Sequence, residues 1–175
     1  HRNTRRQRQM CIRDRTSEDN ITWTGTFTPS SDVEDATNVM TLATSYTDTA
    51  GNAGPGATTA NYAIDTVRPT VASFTMSDTA LISGETSTVT LQFSEAVASF
   101  SSDDDITVEN GSLATMTSSD NITWTGTFTP SSGVEDATNV LTLATSYTDT
   151  AGNAPASTST TVSYTHLTLP TSVPV

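Results

Sequence analysis

Between residues 87 and 93 the chain alternates strictly, with Val89, Leu91 and Phe93 on one side and Thr88, Thr90 and Gln92 on the other. Residues 121–130 repeat the pattern, setting Ile122, Trp124, Gly126 and Phe128 against Thr123, Thr125, Thr127 and Thr129. Residues 139–147 follow with Leu141, Leu143 and Tyr147 on the apolar side. A period of two, with β-branched and aromatic residues facing threonine, marks half-buried antiparallel strands. No apolar stripe at helical spacing is sustained anywhere. Asn110-Gly111 predicts a tight hairpin, and Ser119-Asp120-Asn121 and Gly152-Asn153-Ala154-Pro155 predict further turns. The strands expected are 70–76, 86–94, 105–109, 112–117, 121–129, 139–147 and 156–162. Seven short strands in about one hundred residues predict an all-β, immunoglobulin-like, seven-stranded antiparallel β-sandwich, with a barrel as the alternative. Trp124 is expected to anchor a small, aromatic-poor core between the sheets.

The same strands occur twice. Residues 17–53 recur as 118–154, 101 positions later, and differ only at Glu18/Ser119, Asp32/Gly133 and Met40/Leu141. A period this long suits a whole small domain in tandem rather than a solenoid unit. Residues 64–161 read as a complete copy, and residues 16–63 as a truncated copy, the C-terminal half of the same domain.

The flanks read differently. With suitable codons, residues 5–14 back-translate to the antisense of residues 162–171, ten codons in succession. Selection on protein does not produce such a relationship between opposite ends of a chain. Residues 1–15 and 162–175 therefore resemble translated sequencing-adapter read-through and are set aside as non-native flanks. The competing reading of 1–15, a basic arm for nucleic acid, leaves its antisense partner unexplained. Without the flanks, residues 16–161 carry 18 acidic residues and a single base, Arg68, for a net charge of −17. That balance argues against nucleic acid and anionic membranes as partners, because phosphate binding rests on Lys and Arg. No run is long and apolar enough for membrane insertion by this segment. Residues 16–161 also lack cysteine and histidine, which removes disulfides, zinc sites and Ser-His-Asp or Cys-His nucleophiles. No glycine-rich phosphate loop is present.

Three motifs carry a family resemblance: Asp65-Thr66-x-x-Pro69-Thr70-Val71, Leu91-x-Phe93-Ser94-Glu95-Ala96-Val97 and Tyr147-Thr148-Asp149-x-Ala151-Gly152-Asn153. Together they resemble the bacterial immunoglobulin-like (Big-type) repeats of very large secreted adhesins. The resemblance implies tandem arrays at the cell surface or outside the cell, with calcium at the joints between domains.

The distribution of acids can be set against that implication. In an up-and-down run of antiparallel strands, alternate loops share one pole. The pole where the chain arrives would collect Glu95, Asp103-Asp104-Asp105, Asp120, Asp149 and Asn153, with Asp65 from the linker and Glu34-Asp35 facing from the preceding copy. Calcium takes six to eight hard oxygens from such mixtures of carboxylates and carbonyls. The expected ligands are Asp65, Glu95, Asp103, Asp149 and Asn153. The simpler reading of each residue alone is a turn former on an acidic, solubilising surface. Asp103-Asp104-Asp105 lacks the spacing of an EF-hand loop. The function expected is a non-enzymatic spacer repeat of a secreted or cell-surface adhesin, with neighbouring repeats of the same chain and calcium as partners. The alternatives are a module that binds polysaccharide or ice, and an accessory domain of an extracellular hydrolase.

Overall fold

The computed structural model describes residues 15–156 and 160–167. Two compact units divide between Val67 and Arg68. The first contains β1 (Arg15–Thr16), β2 (Thr24–Gly25), β3 (Glu34–Asn38), β4 (Thr41–Leu42), β5 (Ala57–Thr58) and β6 (Tyr62–Asp65). These form three antiparallel pairs, β1 with β2, β3 with β6 and β4 with β5.

In the second unit lie β7 (Val71–Met76), β8 (Ala80–Ile82), β9 (Ser87–Phe93), α1 (Ser102–Asp105), β10 (Ile106–Val108), β11 (Gly111–Leu113), β12 (Thr123–Pro130), β13 (Asp136–Leu143) and β14 (Thr160–Leu167). One sheet runs β11-β12-β9-β7 and the other β10-β13-β14-β8. This is the strand order of an immunoglobulin-like sandwich, four strands against three, with β8 added at the edge of the second sheet. Two separate sheets rule out the barrel. The alternation of β9 is realised side chain by side chain. Val89, Leu91 and Phe93 are buried against Phe128, Leu141, Leu143 and Tyr147, while Thr88 and Gln92 face solvent. At this size such a core supplies most of the stability, because burial of apolar area is the main favourable term in folding.

Five features depart from the sequence expectation. β8 is an eighth strand and pairs parallel with β14; its three residues are too few for periodicity to register. Asn110-Gly111 does not close a hairpin, since β10 pairs with β13 and β11 with β12. The turn instead carries the chain from one sheet to the other, with Asn110 in the left-handed region at φ 45°. Gly111 is required by proximity: a Cβ there would lie 2.3 Å from the Phe128 ring. The acidic stretch after β9 includes a single helical turn, α1, where a loop was expected. Trp124 is only partly buried, at the margin of the core, and meets Phe100 edge-on at 4.9 Å. Phe128, from the same face of β12, takes the central place instead.

The fifth departure concerns the C-terminal flank. The sandwich does not end at residue 161, because β14 continues to Leu167 and pairs with both β13 and β8. Tyr164 and His166 are buried, and Tyr164 packs on Phe128 with ring centroids 4.7 Å apart. β13 presents backbone donors and acceptors that any extended segment can satisfy. The first unit shows the same design. Asn38 faces Tyr62 and Asp35 faces Ile64, as Asn139 faces Tyr164 and Asp136 faces His166. In each unit the ladder is interrupted between the Asp and the Asn. There the Asp carboxylate accepts from the Thr37 or Thr138 N–H, and the Asn amide donates to the Asp carbonyl. The Glu-Asp-Ala-Thr-Asn motif thus encodes a bulge. Residues 1–14 and 168–175, the rest of the proposed flanks, lie outside the described residues.

Candidate metal centre

Three loops of the second unit converge where β7 begins. The Ser94 N–H donates to the Thr70 carbonyl at 2.8 Å, and the Thr70 N–H to Ser94 Oγ at 2.9 Å. Val97 then bridges Asp149, its N–H donating to the Asn121 carbonyl at 3.0 Å. The Ala98 N–H reaches the Thr148 carbonyl at 2.8 Å. The segments after β9, before β12 and after β13 therefore share one pole, as alternation along antiparallel strands requires.

Asp149 sits at the centre of this pole and is 1% exposed. Its Oδ1 accepts the Asn153 N–H and its Oδ2 the Asn153 side-chain amide, both at 2.8 Å. Gly152 makes the intervening turn at φ 93°, in the left-handed region that favours glycine. Burial alone would raise the Asp149 pKa. Hydrogen bonds from the Asn153 side chain and from the backbone of Asn153, Ala151 and Gly152 outweigh it and hold the carboxyl below its ordinary range. Asp149 is thus a buried carboxylate kept charged by donated hydrogen bonds. Asp48 and Asn52 repeat the geometry in the first unit, with Asn52 Nδ2 donating to Asp48 Oδ2 at 2.9 Å. The Asp-x-x-Gly-Asn element builds its own turn.

Glu95 is half-buried beside Asp149, with carboxylate oxygens of the two within 4.8 Å. Two oxygens bound to one calcium at about 2.3–2.6 Å can stand up to about 5 Å apart, so the pair fits a hard cation. Asn153 adjoins this pair and orients Asp149 through its backbone and side-chain N–H groups. Asp103 does not join them. Its carboxylate accepts from Thr115 Oγ1 at 3.0 Å and Ser102 Oγ at 3.3 Å, which ties α1 to the segment after β11. The formation of α1 turns it that way. Asp65 closes β6 in the first unit opposite Glu34, and its Oδ1 accepts the Val67 N–H at 3.1 Å. Asp120 uses Oδ1 to accept the Ile122 and Thr123 N–H groups at 2.9 and 2.8 Å, which closes the turn before β12.

Sequence reasoning gave Asp105 no role of its own, yet it is buried. Its Oδ2 accepts the Ser101 N–H at 2.8 Å, its Oδ1 accepts from Ser146 Oγ, and its carbonyl accepts the Ala144 N–H. It pins α1 to the end of β13. Burial and the charge of Asp105 together push the Tyr147 phenol up. A run of three aspartates conceals which member turns inward, so no sequence signal separates Asp105 from its neighbours.

On the outer face, Thr88, Ala114, Thr115, Thr117, Thr125, Gly126 and Thr127 line a shallow depression. No aromatic ring lines it, unlike the platforms on which sugars stack. Among the described residues no helix is long and apolar enough to cross a membrane.

The bacterial Ig-like domain family matches residues 13–64 and again 65–166. The chain belongs to that family. The second match spans the sandwich and ends at His166, in agreement with the inclusion of β14, and it begins at Asp65. No curated protein and no solved structure matches the chain. The bacterial Ig-like family is one of structural domains, and the two matches make this chain a tandem repeat within it.

Proposed function

We propose that this chain is a spacer segment of a secreted or cell-surface bacterial protein, most simply an adhesin, and that calcium stiffens the array. Glu95 and Asp149, side by side at the pole where the repeat begins, carry the reading. Two carboxylates this close repel one another, and burial removes the water that would screen them. A divalent cation converts that repulsion into ligation. The Asn153 amide holds Asp149 in place. Glu34 opposes Asp65 across its ladder, and like charges directly opposite destabilise a strand pair unless they are neutralised. Near-identical tandem copies fit a part selected for length and joint geometry. The excess of 18 acids over one base in residues 16–161 fits an environment in which divalent cations are plentiful.

Calorimetry of the chain in calcium and then in chelator tests this. An ion that binds only the folded state stabilises by RT ln(1 + [L]/Kd), about 2.7 kcal/mol at one hundred times Kd. Glu95→Gln should remove most of that gain and leave the calcium-free melting temperature nearly unchanged. It is a cleaner probe than Asp149, whose carboxylate also closes a turn. Scattering from two tandem copies of residues 65–166 should show a longer, stiffer particle in calcium. Equal melting temperatures in calcium and in chelator would overturn the calcium reading.

A further inference from the structure

Three Asn-x-Ser/Thr triplets lie among the described residues: Asn20-Ile21-Thr22, Asn110-Gly111-Ser112 and Asn121-Ile122-Thr123. Such a triplet is the acceptor pattern for N-linked sugar where it stands on a surface loop. The structure separates the three. The Asn110 amide is committed: its Nδ2 donates to Asn139 Oδ1 at 2.7 Å and to Asp136 Oδ2 at 3.3 Å. Asn139 is 0% exposed, so its oxygen has no access to water and depends on that donor.

Asn20 and Asn121 differ. Each is exposed in a turn, in the left-handed region at φ 59° and 58°. Both turns are held without the asparagine side chain. Asp19 Oδ1 accepts the Ile21 and Thr22 N–H groups at 2.8 and 2.7 Å, and Ser17 Oγ accepts the Asn20 N–H at 2.9 Å. Asp120 and Ser118 repeat these bonds around Asn121. Asn38, Asn52, Asn61, Asn139 and Asn153, like Asn110, commit their side-chain amides to hydrogen bonds. The amides of Asn20 and Asn121 meet no partner among the described residues. A left-handed position also admits Gly or Asp, but neither of those can carry an N-linked sugar.

We infer that Asn20 and Asn121 are acceptor sites for N-linked sugar, at the same turn of each repeat, and that Asn110 is not. The donor is an activated sugar whose anomeric carbon bears a phosphate leaving group. Asn Nδ2 bonds to that carbon, the bond from the carbon to the phosphate oxygen breaks, the phosphate leaves with the electron pair, and the amide gives up one proton. No oxidant or reductant takes part. The Asn121 carbonyl accepts the Val97 N–H, and Val97 bridges Asp149. A sugar on Asn121 therefore places a bulky, hydrated group at the edge of the pole that carries Glu95 and Asp149.

The test is co-expression of the full chain with a soluble bacterial N-glucosyltransferase that uses UDP-glucose, which permits modification before or after folding. A flexible peptide containing Asn-Ile-Thr shows in parallel that the enzyme is active. Peptide mapping of the folded protein by mass spectrometry should find hexose on Asn20 and Asn121 and none on Asn110. Ser112→Thr, which gives the Asn110 triplet the same hydroxyl residue as the other two, should add no hexose there. Asn121→Asp keeps a residue suited to the left-handed turn and should abolish the hexose at that position alone. Glycosylated and bare chains should melt at the same temperature, because neither amide is held by a contact. Three results would each overturn the inference: no hexose on Asn20 or Asn121 while the peptide is modified, equal occupancy of Asn110 in either chain, or a melting temperature lowered by the sugar.

Discussion

Replacing His166 by isoleucine should stabilise the second unit. His166 is 0% exposed, and neither ring nitrogen meets a hydrogen-bond partner among the described residues. A neutral imidazole carries one donor and one acceptor, so both polar functions are buried unsatisfied. Each unsatisfied buried group costs about 1–3 kcal/mol. Position 166 faces Asp136 on β13 as Ile64 faces Asp35 on β3, so the repeat itself shows which side chain the slot takes. Isoleucine is also β-branched and suits a strand. Allowing for imperfect repacking, His166→Ile should gain about 2 kcal/mol, which in a domain of this size raises the melting temperature by roughly 8–16 °C. The assay is thermal unfolding of the full chain, followed by calorimetry and by near-ultraviolet circular dichroism. An unchanged or lowered melting temperature would refute the reasoning and show that the ring is satisfied or that the slot is not apolar.

Gly111→Ala should lose about 1–3 kcal/mol, because its Cβ would meet the Phe128 ring at 2.3 Å and Phe128 is held by Tyr164; denaturant midpoints for the variant and its parent would check this, and equal midpoints would show that the ring moves freely. Trp124→Ala should lose about 3 kcal/mol, the lower end for a large aromatic, since the indole is only partly buried; a loss as large as that of Phe128→Ala would mean that Trp124 fills the core after all. The folded pKa of Asp149 lies below its unfolded value of about 3.9, so its contribution to stability is complete above that value and disappears as pH falls through the folded pKa. Asn153→Ala removes the largest hydrogen bond opposing burial, so the Asp149 carboxyl should titrate at higher pH by ¹³C NMR; an identical titration curve would show that the backbone donors suffice.

Much of this architecture is written locally. Alternation along residues 87–93 fixes which side chains of β9 turn inward, because successive residues of a strand face opposite sides whatever the strand pairs with. The repeat reveals a whole domain in tandem, and the order of loops along antiparallel strands brings Glu95 and Asp149 to one pole. The Asp149 to Asn153 turn is likewise local, held by groups four residues apart. Tertiary structure decided the rest. Asn110-Gly111 has the composition of a hairpin turn, yet the preference of each flanking strand for a different partner sends the chain across the sandwich. Among Asp103, Asp104 and Asp105, identical side chains acquire different roles only once α1 meets β13 and the segment after β11. Trp124 and Phe128 share one face of one strand, and only the position of Phe100 and Tyr164 assigns the margin to one and the centre to the other. The extent of β14 was hidden for the same reason. Backbone pairing is indifferent to side chains, so an open place beside β13 can order a segment whose composition gives no sign of belonging there.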